Sequence, residues 1–200
     1  VARIVVENSP PVSVADRVAR INGDLAPSSR LRALRVFNAT RIERSPKLDG
    51  SLDDEIWENV RPIEGFIQRD PGYWNKGSER TLAKIAFDEN KLYFGFECYD
   101  SEPEKVVANN MRRDNDLGGD DNIQILLDTY DDRQTAVYFV VNALGARQDM
   151  MLSQEGRTRN EDWDCIWDAK ARRHKRGWTV EVEIPLDQLR FKEGKEAVWG

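Results

Sequence analysis

The sequence predicts an all-β fold, an antiparallel β-sandwich of about nine strands joined by short helical turns. Three observations predict it. From residue 178 to 184, Trp178, Val180, Val182 and Ile184 alternate with Thr179, Glu181 and Glu183, the period of two that marks a strand with one buried and one wet face. Pro185 then ends the strand abruptly, because proline cannot donate to a ladder. Similar short runs recur between clusters of Gly, Asn, Asp and Ser, and none carries the long 3.6-residue period of a core helix.

Taken in order, residues 1–40 hold six Arg and three acids, a Pro10-Pro11 pair and the stretch Ala26-Pro27-Ser28-Ser29. With no sustained apolar period they read as an amino-terminal tail or linker, and 41–200 as the sandwich. A first strand is expected at 34–44. Asp49-Gly50 turns the chain into Leu52-Asp53-Asp54-Glu55-Ile56-Trp57, a helical turn whose Trp anchors it to the core. A strand at 63–68 leads into the loop 70–78, DPGYWNKGS, which displays Tyr73 and Trp74. Strands at 81–87 and 91–99 form a hairpin around Asp88-Glu89-Asn90, and 122–129 pairs with 135–142. Strands at 148–154, 165–173 and 178–184 follow, and LDQL makes a short turn. Residues 197–200 read as the opening of a further strand, so the native protein is expected to continue beyond 200.

Charge removes several function classes. The net charge is −6, and residues 41–200 hold 24 basic against 33 acidic side chains. Nucleic acid is not expected as a partner, because neutralising phosphates takes clustered Lys and Arg. No run of 18 apolar residues offers a membrane-spanning helix. Val1 to Val6 lacks the initiator Met and long apolar region of a signal peptide, which suggests a processing boundary. Cys98 and Cys165 read as small buried hydrophobes, with a pairing between them left open for an oxidising compartment.

Five segments in this order carry a resemblance: KLDGSLDDEIW (47–57), SERTLAKIAFDENKLYFGFECYDSEP (78–103), GGDDNIQILLDTYDDR (118–133), YFVVNALG (138–145) and WDAKARRHKRGWTVEVEIPLDQLRF (167–191). Together they resemble the family-nine carbohydrate-binding modules. The resemblance covers roughly residues 40 to 200, and LDGSLDDEIW and GWTVEVEIPLDQL are its most specific parts. It implies an immunoglobulin-like β-sandwich, non-catalytic binding of an oligo- or polysaccharide through aromatic side chains, and bound calcium in some members. Within the family the chain is most similar to the amino-terminal module of bacterial outer-membrane proteins of unassigned function, in which a β-rich, barrel-forming region follows. That implies an exported protein, periplasmic or outer-membrane-associated, connected with carbohydrate catabolism.

A pyranose ring offers an apolar C–H face and an equator of hydroxyls, so a binder needs an exposed aromatic plane beside amides, carboxylates or Arg. Trp74 and Trp163 are the candidate stacking residues. Tyr73, Asn75, Arg80, Asn160 and Asp162 are their candidate neighbours, while Trp57, Trp167 and Trp178 match structural positions of the family.

Residues 114–132 contain seven Asp and no Lys or Arg. Calcium takes six to eight oxygens, and Asp120, Asp121 and Asp128 are the candidate ligands. The alternative is a set of turns whose Asp side chains cap main-chain amides. An EF-hand is excluded, since the twelfth position from Asp114 is Ile125. Catalysis finds little support, because Glu181 and Glu183 are expected on the solvent face and the one His, His174, lies in the basic turn 172–176. Met111, Met150, Met151 and His174 show no haem-ligand spacing, so no haem is expected. The remaining alternative is a periplasmic docking domain without sugar binding.

Overall fold

The computed structural model describes residues 2–7, 35–68, 75–191 and 196–200. Strands β1 (Ala2–Glu7), β2 (Arg35–Asn38) and β3 (Thr40–Arg41) precede the short helix α1 (Glu55–Glu58) and the hairpin of β4 (Thr81–Phe87) and β5 (Lys91–Tyr99). Then come β6 (Asn122–Leu127), β7 (Ala136–Asn142), β8 (Arg147–Ser153), β9 (Thr158–Asn160), β10 (Asp168–His174), β11 (Gly177–Pro185) and β12 (Glu196–Trp199). Two sheets, β10-β11-β5-β4-β3 and β6-β7-β8-β9, make the predicted sandwich, beside a smaller sheet β12-β1-β2.

The period of two decides what lies between the layers. Phe94, Phe96 and Cys98 of β5 and Val180, Val182 and Ile184 of β11 share a core with Ile123, Ile125 and Leu127 of β6 and Val137, Phe139 and Val141 of β7. Fully burying one such Val, Leu, Ile or Phe is worth about 1.5–3 kcal/mol, so each layer is stable only against the other. At their meeting point Phe139 lies edge-on to Trp167, with ring centroids 4.9 Å apart.

Several elements differ from expectation. The strand expected at 34–44 is split at Ala39, and 63–68 contributes only the bridges Ile63↔Ala83 and Ile67↔Lys76. The strand expected from Cys165 starts at Asp168. β1 and β2 fall within the stretch read as a tail. The pairings of β1 with β2 and of β3 with β4 are parallel in an otherwise antiparallel fold.

The expectation for Glu181 is corrected. Its side chain points away from the core, as the alternation requires, yet it is fully buried. α1 and the turn before it cover it: Trp57 Nε1 donates to Oε1 at 2.8 Å, and the amides of Asp49 and Gly50 donate to Oε2 at 2.9 Å. Gly50 has φ of +84°, a conformation that favours glycine, and a Cβ there would stand 2.9 Å from the Ala171 carbonyl carbon. Across the ladder from Glu181 lies Gly95, where a Cβ would meet Leu52 Cδ2 at 2.7 Å and the Trp57 ring at 3.3 Å. The LDG and DEIW parts of the motif thus close a second, smaller core of Trp57, Val60, Ala86 and Tyr93 on the outside of the sheet.

Candidate functional site

β9 leaves the free edge of its sheet through a tight turn. Asn160 pairs with Met151, which pairs with Val137 of the core, and cross-strand partners share a face. Asn160 therefore extends the core-facing side of this sheet to its margin, where it is exposed. The Asp162 amide donates to Asn160 Oδ1 at 3.2 Å, an Asx turn that delivers the chain to Trp163. The indole of Trp163 is half-buried, edge-on to Phe139 at 6.3 Å between centroids with an interplanar angle of 69°. Asn160, Asp162 and Trp163 thus form one local group with an aromatic plane at its centre.

Two residues that the sequence reading did not single out hold the chain that follows this group. Asp149 of β8 lies opposite Phe139 and is 2 % exposed. It accepts from Trp167 Nε1 and from the Cys165 amide, each at 2.8 Å, and from Arg113 Nη2 at 3.1 Å. Burial pushes its carboxyl above the ordinary range, against the lowering effect of Trp167, Cys165 and Arg113. Arg113 Nη2 also donates to the Asp164 carboxylate and, at 2.8 Å, to the Cys165 carbonyl. Burial works against the Arg113 cation, but Asp149, Asp164 and Asp114 favour it and its pKa is raised overall. The one sequence signal for Asp149 is an acid on the inward period of a strand beside Met151. Arg113, in an irregular loop, gave none.

Tyr73 and Trp74 fall outside the described residues. Their flanks form a stem, with the Gln68 amide donating to the Asn75 carbonyl at 2.8 Å and Ile67 bridged to Lys76; Asn75 is exposed. Arg80 lies on the outer face of the other sheet, its guanidinium 5.4 Å from the centre of the Tyr99 ring and 3.2 Å from Glu64. No contact joins Arg80 to Trp163 among the described residues.

The three aspartates considered for calcium do not converge. Asp120 and Asp121 precede β6 and Asp128 follows it, roughly 20 Å away at the rise of a strand. Asp120 accepts from the amides of Asn109 (2.9 Å) and Asn110 (3.1 Å) and from Asn142 Nδ2 (2.8 Å). Asp121 accepts from the Val107 amide (2.7 Å), and Asp128 from those of Asp132 (3.1 Å) and Arg133 (2.7 Å). Among the described residues no three His, Cys, Asp or Glu side chains gather as a metal would require. As one ligand set, Asp120, Asp121 and Asp128 do not fit calcium; each caps main-chain amides.

Other reactive groups are committed elsewhere. His174 Nδ1 accepts from the Arg176 amide at 3.2 Å. Cys98 and Cys165 are buried free thiols, each pushed up to about 12 by burial.

Comparison with known proteins agrees with this architecture. A family model described as carbohydrate family 9 binding domain-like matches residues 48–198. No curated protein sequence matches. Among solved structures, a family 9 carbohydrate-binding module from Caldicellulosiruptor kristjanssonii in complex with cellotriose aligns with a TM-score of 0.53 at 23 % identity, over 74 % of this chain and 66 % of that one. Its complex with glucose aligns with the same TM-score and identity, over 78 % and 73 %. At this identity the likeness is one of fold.

Proposed function

Because the chain belongs to the carbohydrate family 9 binding domain-like family, a family of non-catalytic carbohydrate-binding modules, we propose that it binds a gluco-configured oligosaccharide at Trp163. The observation that carries the reading is the half-buried Trp163 indole, presented by the Asn160–Asp162 turn and flanked by the Asp164–Arg113 pair. A sugar ring stacks its C–H face on the indole, and its hydroxyls meet Asn160 and Asp162. Support for the sugar class comes from the solved relatives, which hold cellotriose and glucose. Trp74, with Tyr73 and Asn75 on the loop and Arg80 after it, is proposed as a second contact surface.

Calorimetry with cellotriose and glucose tests this. Trp163→Ala is expected to weaken binding by about 1.5–3 kcal/mol, the scale of a buried aromatic contact. A loss below roughly 0.5 kcal/mol in both Trp163→Ala and Trp74→Ala would sink the stacking assignment.

The wider setting is also proposed: an amino-terminal module of an exported protein in the periplasm or at the outer membrane, followed by a β-rich membrane region. Its support is the likeness of the chain, within that family, to the amino-terminal modules of bacterial outer-membrane proteins. Fractionating cells that carry the tagged full-length protein tests it, and recovery in the cytosol would refute it. A second reading, a docking module without sugar, is favoured by Met111 and Ile166, which are 78 % and 74 % exposed.

A further inference from the structure

We infer that Arg113 is a positioning residue of the Trp163 platform, acting through the main chain that follows the indole rather than by touching sugar. The inference rests on the reading of Trp163 as the stacking residue.

The geometry runs in one unbroken chain. Asp120 and Asp121 pin the start of the loop before β6 by its Val107, Asn109 and Asn110 amides. Asn142 ties the same loop to the β7–β8 turn, donating to the Asn110 carbonyl at 2.7 Å and to Asp120. Further along, the Asp114 amide donates to the Arg147 carbonyl at 3.0 Å. Arg113 is held between these anchors. From there its Nη2 reaches the Asp164 side chain and the Cys165 carbonyl, the two residues next in sequence to Trp163. Buried Asp149 completes the clamp from below by taking the Cys165 amide as well as Arg113.

Among the described residues the Trp163 ring meets the edge of Phe139 and packs in part against the core. That packing seats one side of the indole, and the backbone at 164–165, which Arg113 and Asp149 hold, sets its tilt. The Asp164 side chain is 75 % exposed, and an ion pair so wet contributes little to stability. Its geometric effect on the neighbouring indole is large by comparison, because a platform set in the bound orientation binds without first being ordered.

The test uses the 200-residue protein labelled with 5-fluorotryptophan, with the Trp163 resonance assigned from Trp163→Phe. Arg113→Gln is expected to shift or broaden that resonance while those of Trp57 and Trp178 stay in place, and to weaken cellotriose binding by about tenfold. Arg157→Gln, which breaks the exposed pair with Glu155, should leave both readouts unchanged. If Arg113→Gln does not fold, Asp164→Ala removes the acceptor of the same contact from the exposed side and should move the same resonance. An unmoved Trp163 resonance overturns the inference, and so does a shift shared by Trp57 and Trp178, which would mean general loosening. Absence of cellotriose binding in the unsubstituted protein would instead refute the sugar reading, while the fluorine spectrum still decides whether Arg113 sets the indole.

Discussion

Glu181 and Asp149 are both buried carboxylates that accept from a tryptophan indole and from main-chain amides, one on each layer of the sandwich. Burial raises the Glu181 carboxyl above its ordinary range, against the pull of Trp57, Asp49 and Gly50. A carboxyl raised in the folded state contributes its stability below the ordinary carboxylate value, and that contribution is lost as pH rises through the raised one. Glu181→Gln keeps an acceptor but turns an amide donor toward other donors, at a cost of about 1–3 kcal/mol. That cost should be larger near the ordinary carboxylate range, about pH 4, than at about pH 7. Urea midpoints of both proteins at the two pH values check it; a cost that grows with pH would show that the three donors outweigh burial. Asp120 has the opposite sign, since the amide of Asn109, the side chain of Asn142 and the amide of Asn110 hold its carboxyl low. Its contribution is present above the ordinary value and is lost on acidification.

At the scale of an element, the outer turn that carries Trp57 depends on an absent side chain. Gly95→Ala would place a Cβ 2.7 Å from Leu52 and 3.3 Å from the Trp57 ring, so the turn must lift from the sheet. Overpacking of this kind costs about 1–3 kcal/mol. Denaturant midpoints should fall accordingly, with Trp57 more accessible to acrylamide; an unchanged midpoint would mean that the turn yields freely. The hairpin of β4 and β5 was legible residue for residue, because alternation and the Asp-Glu-Asn turn agree there. Glu181 was not, because alternation tells which face a side chain takes but not what covers that face. β9 was missed for a simpler reason: Thr158-Arg159-Asn160 is exposed throughout and has no apolar period. The local group at Trp163 was partly legible as an aromatic among Asn and Asp, whereas its support from Arg113, 50 residues earlier in the chain, leaves no local pattern.

Across the whole molecule, the two thiols report on global opening. Cys98 and Cys165 are 8 % and 1 % exposed and lie in the core shared by both sheets. Burial pushes each to about 12, so almost no thiolate forms at neutral pH. Neither should react with a thiol reagent in the native protein, and both should react once it is unfolded. Rapid labelling of one thiol alone in native buffer would show that its side of the core opens locally.

The contact between Gly50 and Glu181 also bears on how the molecule comes to be folded. Its ends are 131 residues apart, and pairings this distant make folding slow, because a long loop must close before any contact offsets the lost entropy. During synthesis the segment around Trp57 emerges long before its carboxylate partner. The nascent chain therefore carries an uncovered indole on a half-built sheet until β11 arrives, the interval in which such a chain is most open to aggregation or to capture by a chaperone.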